Sequence, residues 1–545
     1  MTTVRLHNKL LSLFLALVLC LSAVSLVGCG DENADDRVGE MADDFSITLQ
    51  NTLPDGTYTL RYEDEKGALS CYAPICAITV ANGKSAAYRG LIPENCAPVG
   101  AACIGVYGAE GNRVGSVAFA DGFCRETGEK LYSFGALSDV HIGYETAEDD
   151  FANAIHHFVN NENVAFIGIA GDLTVAATDE QFVNYRDVVE AYAGNTPVYA
   201  ITGNHDTYAY RGDSVLTVLE EYTGKPLYYS FTQGDDVFLM MGTFFNQEDK
   251  LFTREELQWL YESLEENKDK RIFLFQHVRP QDTPGNAHGI YDYDIWGGSE
   301  QEVFEGLLAH YPNVTLFHGH SHLKLYLQEQ VKNANYDGSD GYHSVHIPSA
   351  SVPRDGDETG VASREECYEE SEGFVVDVYE NGIRLRGYDF MAETYLPIAE
   401  YYLDTTLKAP EGVYTDDTCS VHTDGKGIAP AWQYGYLIDG ETGKVYTNAK
   451  ASLSKEMALE AGKTYTLCAK SKTKLSAYLY YYDATGSFLS AVTLWEDGED
   501  AALITLTPPN GAATVRIGFA YAGSSLIQRL EECASRISLT VKEGN

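Results

Sequence analysis

Between residues 131 and 317 one pattern recurs: an apolar run of strand length, a polar tip, then an amphipathic stretch. The runs occupy 131–137, 164–169, 197–201, 237–241, 272–275 and 314–317. Short, nearly continuous apolar runs are what strands buried on both faces require, and helical stretches between them supply the covering layers. The pattern therefore predicts an α/β domain. Thr178 with Gln181, Thr253 with Glu256 and Ser299 with Glu302 have the spacing at which two side chains satisfy each other's orphan N–H groups at a helix start. Thr146 with Asp149 is a weaker version. Apolar residues then recur at helical spacing, as in Phe151, Ile155 and Phe158, or Phe182, Tyr185 and Val189, and these are assigned to the core.

The tips carry the chemistry. The first run is followed by Asp139-Val140-His141, the second by Gly171-Asp172 and the third by Gly203-Asn204-His205-Asp206. His277 follows 272–275, and Gly319-His320-Ser321-His322 follows 314–317. Ligands of open α/β sheets bind outside the carboxyl ends of the strands, where these residues fall. Asp139, His141, Asp172, Asn204, His277, His320 and His322 offer more donors than one first-row metal with an open position can use. They fit two metals sharing one carboxylate, a pair that can generate hydroxide at neutral pH and clamp both oxygens of a phosphoryl transfer. The set lacks cysteine, which excludes soft thiolate sites and leaves manganese, iron and zinc as alternatives.

The order DxH, GD, GNHD, H, GHxH resembles that of the calcineurin-like metallophosphoesterases, over about residues 131–390. The resemblance implies one metal on Asp139, His141, Asp172 and His322, and another on Asp172, Asn204, His277 and His320, with Asp172 bridging. It further implies a metal-bound hydroxide attacking phosphorus in line. His205 becomes the catalytic histidine that stabilises the phosphoryl group or protonates the leaving oxygen, and Asp206 the carboxylate that orients it. Val175 stands where purple acid phosphatases have tyrosine, and Asp206 where they have glutamate, so a tyrosinate ligand is not expected. The remaining likeness is to exported phosphodiesterases. Phosphomonoesterase action is the alternative, and so is a catalytically inactive, glycan-binding surface lipoprotein. Substrate contacts are expected from the loop after His277, at Arg279, His288 and Tyr291, because a connector of that length usually serves a function.

Charge narrows the partners. Against 38 Lys and Arg stand 80 Asp and Glu, a formal net charge of -42, so the chain lacks the basic patches by which phosphate backbones are held and nucleic acid is not an expected partner. Arg5 and Lys9, an apolar run at 10–19 and Leu26-Val27-Gly28-Cys29 resemble a bacterial lipoprotein signal. That implies a signal peptide over 1–28, lipid on Cys29, a flexible tether over 29–44 and an extracytoplasmic, lipid-anchored protein whose membrane contact is the anchor. Five cysteines between Cys71 and Cys124 suggest disulfides in an exported domain.

The flanks read as β structure. Alternating runs separated by Gly, Pro and Asp turns mark 45–130 as a β-sandwich, and similar signals beyond 409 resemble the jelly-roll modules, often carbohydrate-binding, of exported bacterial proteins. Tyr478, Tyr480 and Tyr482 share one strand face by the two-residue period. Two readings of that face stand: a platform for a sugar, or an aromatic core. The acidic stretch 355–372 reads as a solvated loop. The expected architecture is α/β, with a central four-layer αββα domain at 131–408 between N-terminal (45–130) and C-terminal (409–545) β-sandwich domains.

Overall fold

The computed structural model describes residues 36–125, 127–207, 213–243, 252–280, 283–285, 304–305, 307–308, 311–326, 330–332, 342–356, 362–407, 432–459, 463–469, 475–495, 502–522 and 537–543. The chain is mixed α/β, rich in sheet, and divides into two compact units. One unit holds residues up to 93 with 97–124; the other holds 94–96 with 125–545.

In the first unit an antiparallel sheet runs in the order Lys84–Ser85, Cys76–Ala81, Gly56–Asp64, Cys103–Tyr107, Arg113–Val117. Its central strand buries Tyr58, Leu60 and Tyr62, the alternate residues that a two-residue period places on one face. The disulfide expectation fails at two positions. Cys103 keeps a thiol that donates to Glu63, and Cys76 is likewise a thiol, its acidity suppressed to about 12 by burial.

Two six-stranded sheets organise the second unit. The first has the order Val198–Ala200, Ile167–Ile169, Lys130–Leu137, Glu372–Tyr379, Gly382–Asp389, Thr394–Asp404. Its first three strands are parallel and its last three antiparallel. The second has the order Tyr228–Gln233, Asp236–Met241, Ile272–Gln276, Val314–His318, His343–His346, Val331–Lys332, parallel through its four central strands. Phenylalanines interlock between the sheets: Phe134 of the first lies 5.5 Å from Phe238 and 5.8 Å from Phe317 of the second, ring edge to ring face. Gly168 admits the Phe275 ring at a place where a Cβ would lie 2.8 Å from it. Away from the ligand-bearing tips, buried Arg271 bonds Asp236 through two nitrogens and also reaches the Tyr379 carbonyl at 2.7 Å, tying the start of Ile272–Gln276 to the first sheet.

Helix Asp179–Tyr192 starts on the capping box of Thr178 and Gln181, and Arg254–Glu266 on that of Thr253 and Glu256, as the spacings predict. Ser299 and Glu302 lie outside the described residues. Thr146 precedes helix Ala147–His156 without a side-chain cap; its hydroxyl donates to the Tyr368 carbonyl instead.

Three features differ from expectation. Strand Thr394–Asp404 is not announced by the sequence, because Pro397 demotes the run; the strand lies at the sheet edge, where a missing N–H is tolerated. Tyr228–Gln233 is a second unannounced edge strand. The acidic stretch after Asp355 is not simply a solvated loop: Arg354–Gly356 pairs with Ala362–Glu366, and Glu372 is buried, accepting the Leu325 N–H at 2.8 Å.

Beyond residue 431 the strands Trp432–Ile438, Val445–Ser454, Thr514–Tyr521, Leu475–Tyr482 and Phe488–Trp495 form an antiparallel sheet, and Ala502–Leu506, Lys463–Ala469 and Ile537–Glu543 form another. Their buried apolar residues join those of helix Arg254–Glu266 and the second central sheet in one cluster. Among the described residues no helix is long and apolar enough to cross a membrane.

Candidate metal centre

The parallel strands of both central sheets end toward one place, and the seven residues singled out from the sequence sit on the loops that leave those ends. Asp139 and His141 follow Lys130–Leu137, Asp172 follows Ile167–Ile169, and Asn204 follows Val198–Ala200. The second sheet adds His277 after Ile272–Gln276, and His320 and His322 after Val314–His318. The tips are stitched to each other: Gly319 N–H donates to the His277 carbonyl at 3.0 Å, and Ser349 Oγ to the Asp139 carbonyl at 2.8 Å.

The donors fall into two buried groups, Asp139, His141, Asp172 and His322, and Asp172, His277 and His320. Asp172 belongs to both. Its Oδ2 lies 3.1 Å from His277 Nε2 and 3.6 Å from His141 Nε2, while Oδ1 accepts the His205 N–H at 2.8 Å. Asp139 Oδ1 lies 3.0 Å from His322 Nε2, and its other oxygen accepts the His320 N–H at 3.0 Å. Asn204 is buried, and its main-chain carbonyl accepts from the N–H and hydroxyl of Thr207.

This arrangement fits bound cations. Asp139 Oδ1 and His277 Nε2 are fully buried and, close as His322 Nε2 and Asp172 Oδ2 lie to them, neither makes a hydrogen bond of good geometry, which is costly unless a further group occupies the space they face. Carbonyls set the histidine tautomers: His277 Nδ1 donates to Ala170 at 2.7 Å and His322 Nδ1 to Val352 at 3.1 Å, which turns each Nε2 lone pair inward. Burial by itself would lower the His277 pKa, but the carboxylates of Asp172 and Asp139 raise it to about 9. Asp139 is pushed up by burial, yet the His322 and His277 rings outweigh that and hold it well below the usual range. The field at the centre therefore favours positive charge. Asp139, His141, Asp172, His320 and His322 all adopt positive φ, half of the ten non-glycine residues that do so among those described. Each such residue costs about 1–2 kcal/mol, strain of the kind that clusters where function holds it.

Glycines clear the approach. A Cβ on Gly203 would collide with Asp172 Oδ1, and one on Gly319 with Ser138 Oγ and Asp139 Oδ2.

Asp206 departs from its expected part. Its Oδ1 accepts the Thr174 N–H and hydroxyl, each at 2.9 Å, and its Oδ2 accepts the N–H groups of Leu173 at 3.0 Å and Gly203 at 2.9 Å. His205 Nδ1 donates to the Val175 carbonyl at 2.7 Å instead. Asp206 thus binds the Asp172 loop to the Asn204 loop, and a main-chain carbonyl orients the histidine. Burial, with the charge of Asp172, pushes the Asp206 carboxyl up to about 6. A carbonyl carries no side-chain signature, so the sequence offers no signal for Val175.

Arg279 is buried, and its charge bears on His318 and His346. His346 itself bonds Ser321 Oγ at 2.8 Å and Gln330 Oε1 at 2.6 Å, bracing the loop between His320 and His322, a support that no local motif announces. His288, Tyr291 and Cys29 lie outside the described residues.

A mixed α/β domain that gathers imidazole and carboxylate donors around one shared aspartate belongs to the class with sites suited to two metals. Residues 132–324 match the family of calcineurin-like phosphoesterases, and the chain carries a calcineurin-like phosphoesterase domain over that span. Among curated proteins there is no significant match. Among solved structures, a calcium-binding mutant of Bacteroides uniformis beta-glucuronidase 2 aligns over 87% of this chain and 78% of that one, at 10% identity and a TM-score of 0.15. A likeness that slight carries no argument.

Proposed function

We propose that the chain is a dimetal-dependent phosphoester hydrolase, acting as a phosphodiesterase outside the cytoplasm from a lipid anchor on Cys29. Phosphoester hydrolysis is what the family implies. The observation that carries the reading is Asp172, shared by two buried donor groups in which Asp139 Oδ1 and His277 Nε2 make no hydrogen bond of good geometry. Asp139, His141, Asp172 and His322 would hold one ion, and Asp172, Asn204, His277 and His320 the other. When bound, such a pair supplies a nucleophile at neutral pH and neutralises charge on the phosphoryl oxygens.

The residues themselves do the rest. Asp172 fixes both groups, and its bond from the His205 N–H sets the histidine against them. With Nδ1–H committed to Val175, His205 presents Nε2, where a proton can be held and passed to the leaving oxygen. The test is hydrolysis of chromogenic phosphomono- and phosphodiesters by the chain lacking residues 1–29, with manganese, iron or zinc, beside His205→Ala and Asp172→Asn. A parent inert toward both ester classes with every metal abandons the hydrolase in favour of an inactive binding protein.

The αββα layering of the central domain and the sandwich form of both flanks belong to the same proposal, as does a glycan partner for the C-terminal module. That partner is favoured by a cleft of about 420 Å³ lined by Tyr446, Tyr478, Tyr480, Asp439 and Thr493. Tyr480 is buried and Tyr478 half-buried, so these two form a wall of the cleft more than an open platform, and Tyr482 packs against the apolar core instead. Glycan-array binding by the chain, lost in Tyr446→Ala, is the test; no binding to any glycan removes this partner.

A further inference from the structure

The turn that carries Tyr368 is fixed at three points. Thr146 Oγ1 donates to the Tyr368 carbonyl at 3.2 Å, and the Cys367 N–H donates to the Pro353 carbonyl at 2.9 Å. Lys324, two residues past His322, forms an ion pair with Glu370 at 2.6 Å. The backbone is thereby held against the segments that follow His141 and His322, yet the Tyr368 side chain is 40% exposed. An aromatic ring kept in water on an anchored backbone has apolar surface to bury and little backbone entropy to lose on doing so.

That ring lies in a row. Tyr368 meets Tyr144 at a centroid distance of 5.6 Å and 70°, and Tyr144 meets His141 at 5.6 Å and 59°. His141 also meets His205 at 4.7 Å and 88°. Tyr144 turns back toward His141 because Gly143 has φ 123°, a backbone state open to glycine. The row His205, His141, Tyr144, Tyr368 thus runs from the proton-bearing histidine to solvent. A leaving oxygen must come within hydrogen-bond reach of His205, so the group attached to it lies beside this row.

Resting on the hydrolase reading above, we propose that Tyr144 and Tyr368 form the leaving-group subsite. The preferred substrates are phosphoesters whose leaving group is flat and aromatic, not glycerol or a short alkyl alcohol. Edge-to-face and offset ring contacts favour such a group beyond the area it buries.

The test compares 2-naphthyl and fluorinated-alkyl esters of methyl phosphate, chosen for equal leaving-group acidity, on the manganese-loaded chain. The aryl-to-alkyl ratio of kcat/KM should fall about tenfold in Tyr368→Ala, through KM, and hold in Tyr368→Phe, in line with one lost aromatic contact. The affinity of a non-hydrolysable naphthyl phosphonate, measured by calorimetry, should fall by a similar factor. An unchanged ratio and unchanged phosphonate affinity in Tyr368→Ala overturn the subsite. A parent inert toward both esters overturns the hydrolase, and the phosphonate comparison then decides the subsite separately.

Discussion

The backbone N–H of His205 donates to Oδ1 of Asp172 at 2.8 Å, which joins the proposed proton carrier to the carboxylate that both donor groups share. Asp172→Asn removes the charge of the bridging side chain and places an amide among imidazoles. Metal content after dialysis should fall from about two ions per chain to one or fewer, and turnover by about 100-fold or more, comparable with the larger losses seen when metal-site partners are removed. Elemental analysis beside a phosphoester assay checks both. Retained metal with retained activity sinks the bridging role.

Asp206 and His205 should separate cleanly. Asp206→Asn leaves buried N–H groups of Leu173, Thr174 and Gly203 facing an amide, at about 1–3 kcal/mol for each bond lost. It should lower the melting temperature and weaken metal affinity. His205→Ala should instead keep metal affinity and cut kcat by about 100-fold, the usual scale for a lost general acid. If Asp206→Asn reproduces the His205→Ala profile with stability intact, Asp206 acts through the imidazole after all.

Gly203→Ala should behave as a metal-site variant although it carries no ligand. Its Cβ would collide with Asp172 Oδ1, so either the carboxylate or the turn must move. The expected outcome is metal affinity reduced by at least about tenfold with near-native far-UV dichroism. Titration with manganese measures it, and native affinity would mean the turn yields freely.

Two buried acids give a pH prediction. Burial raises Glu256 and Glu372 from 4.5 to about 8 each. Folded pKa values above the unfolded ones mean that their contribution is complete below about 4.5 and is lost as pH rises to about 8. The variant Glu256→Gln/Glu372→Gln cannot lose it, and glutamine preserves the capping box at Thr253. The melting temperature of the variant minus that of the parent should therefore rise by several degrees between pH 5 and pH 8. A difference constant across that range would show that these carboxyls titrate normally.

Most of the site was legible in the sequence because its donors lie at strand tips, where an apolar run ends abruptly on Asp, Asn or His. Thr178 and Thr253 marked their helices for a similar local reason, since a capping box is a contact between residues three apart. Thr394–Asp404 was not legible: a proline-containing edge strand takes its stability from a partner remote in sequence. The partner of His205 was missed because a carboxylate next in sequence invites pairing, whereas the ring turned to the carbonyl of Val175, 30 residues away.

The sequence by itself determined the kinds of donor, their order and their places at the ends of buried strands, since periodicity and turn chemistry are local. The family resemblance already implied a shared Asp172, and both buried donor groups contain it, but only the tertiary structure decided that Asp206 is a brace and that a main-chain carbonyl holds His205. It alone set Tyr368 in line with Tyr144 and His141. Those relations depend on the register between two sheets and on backbone groups that have no letter in a sequence, so they exist only once the sheets have packed.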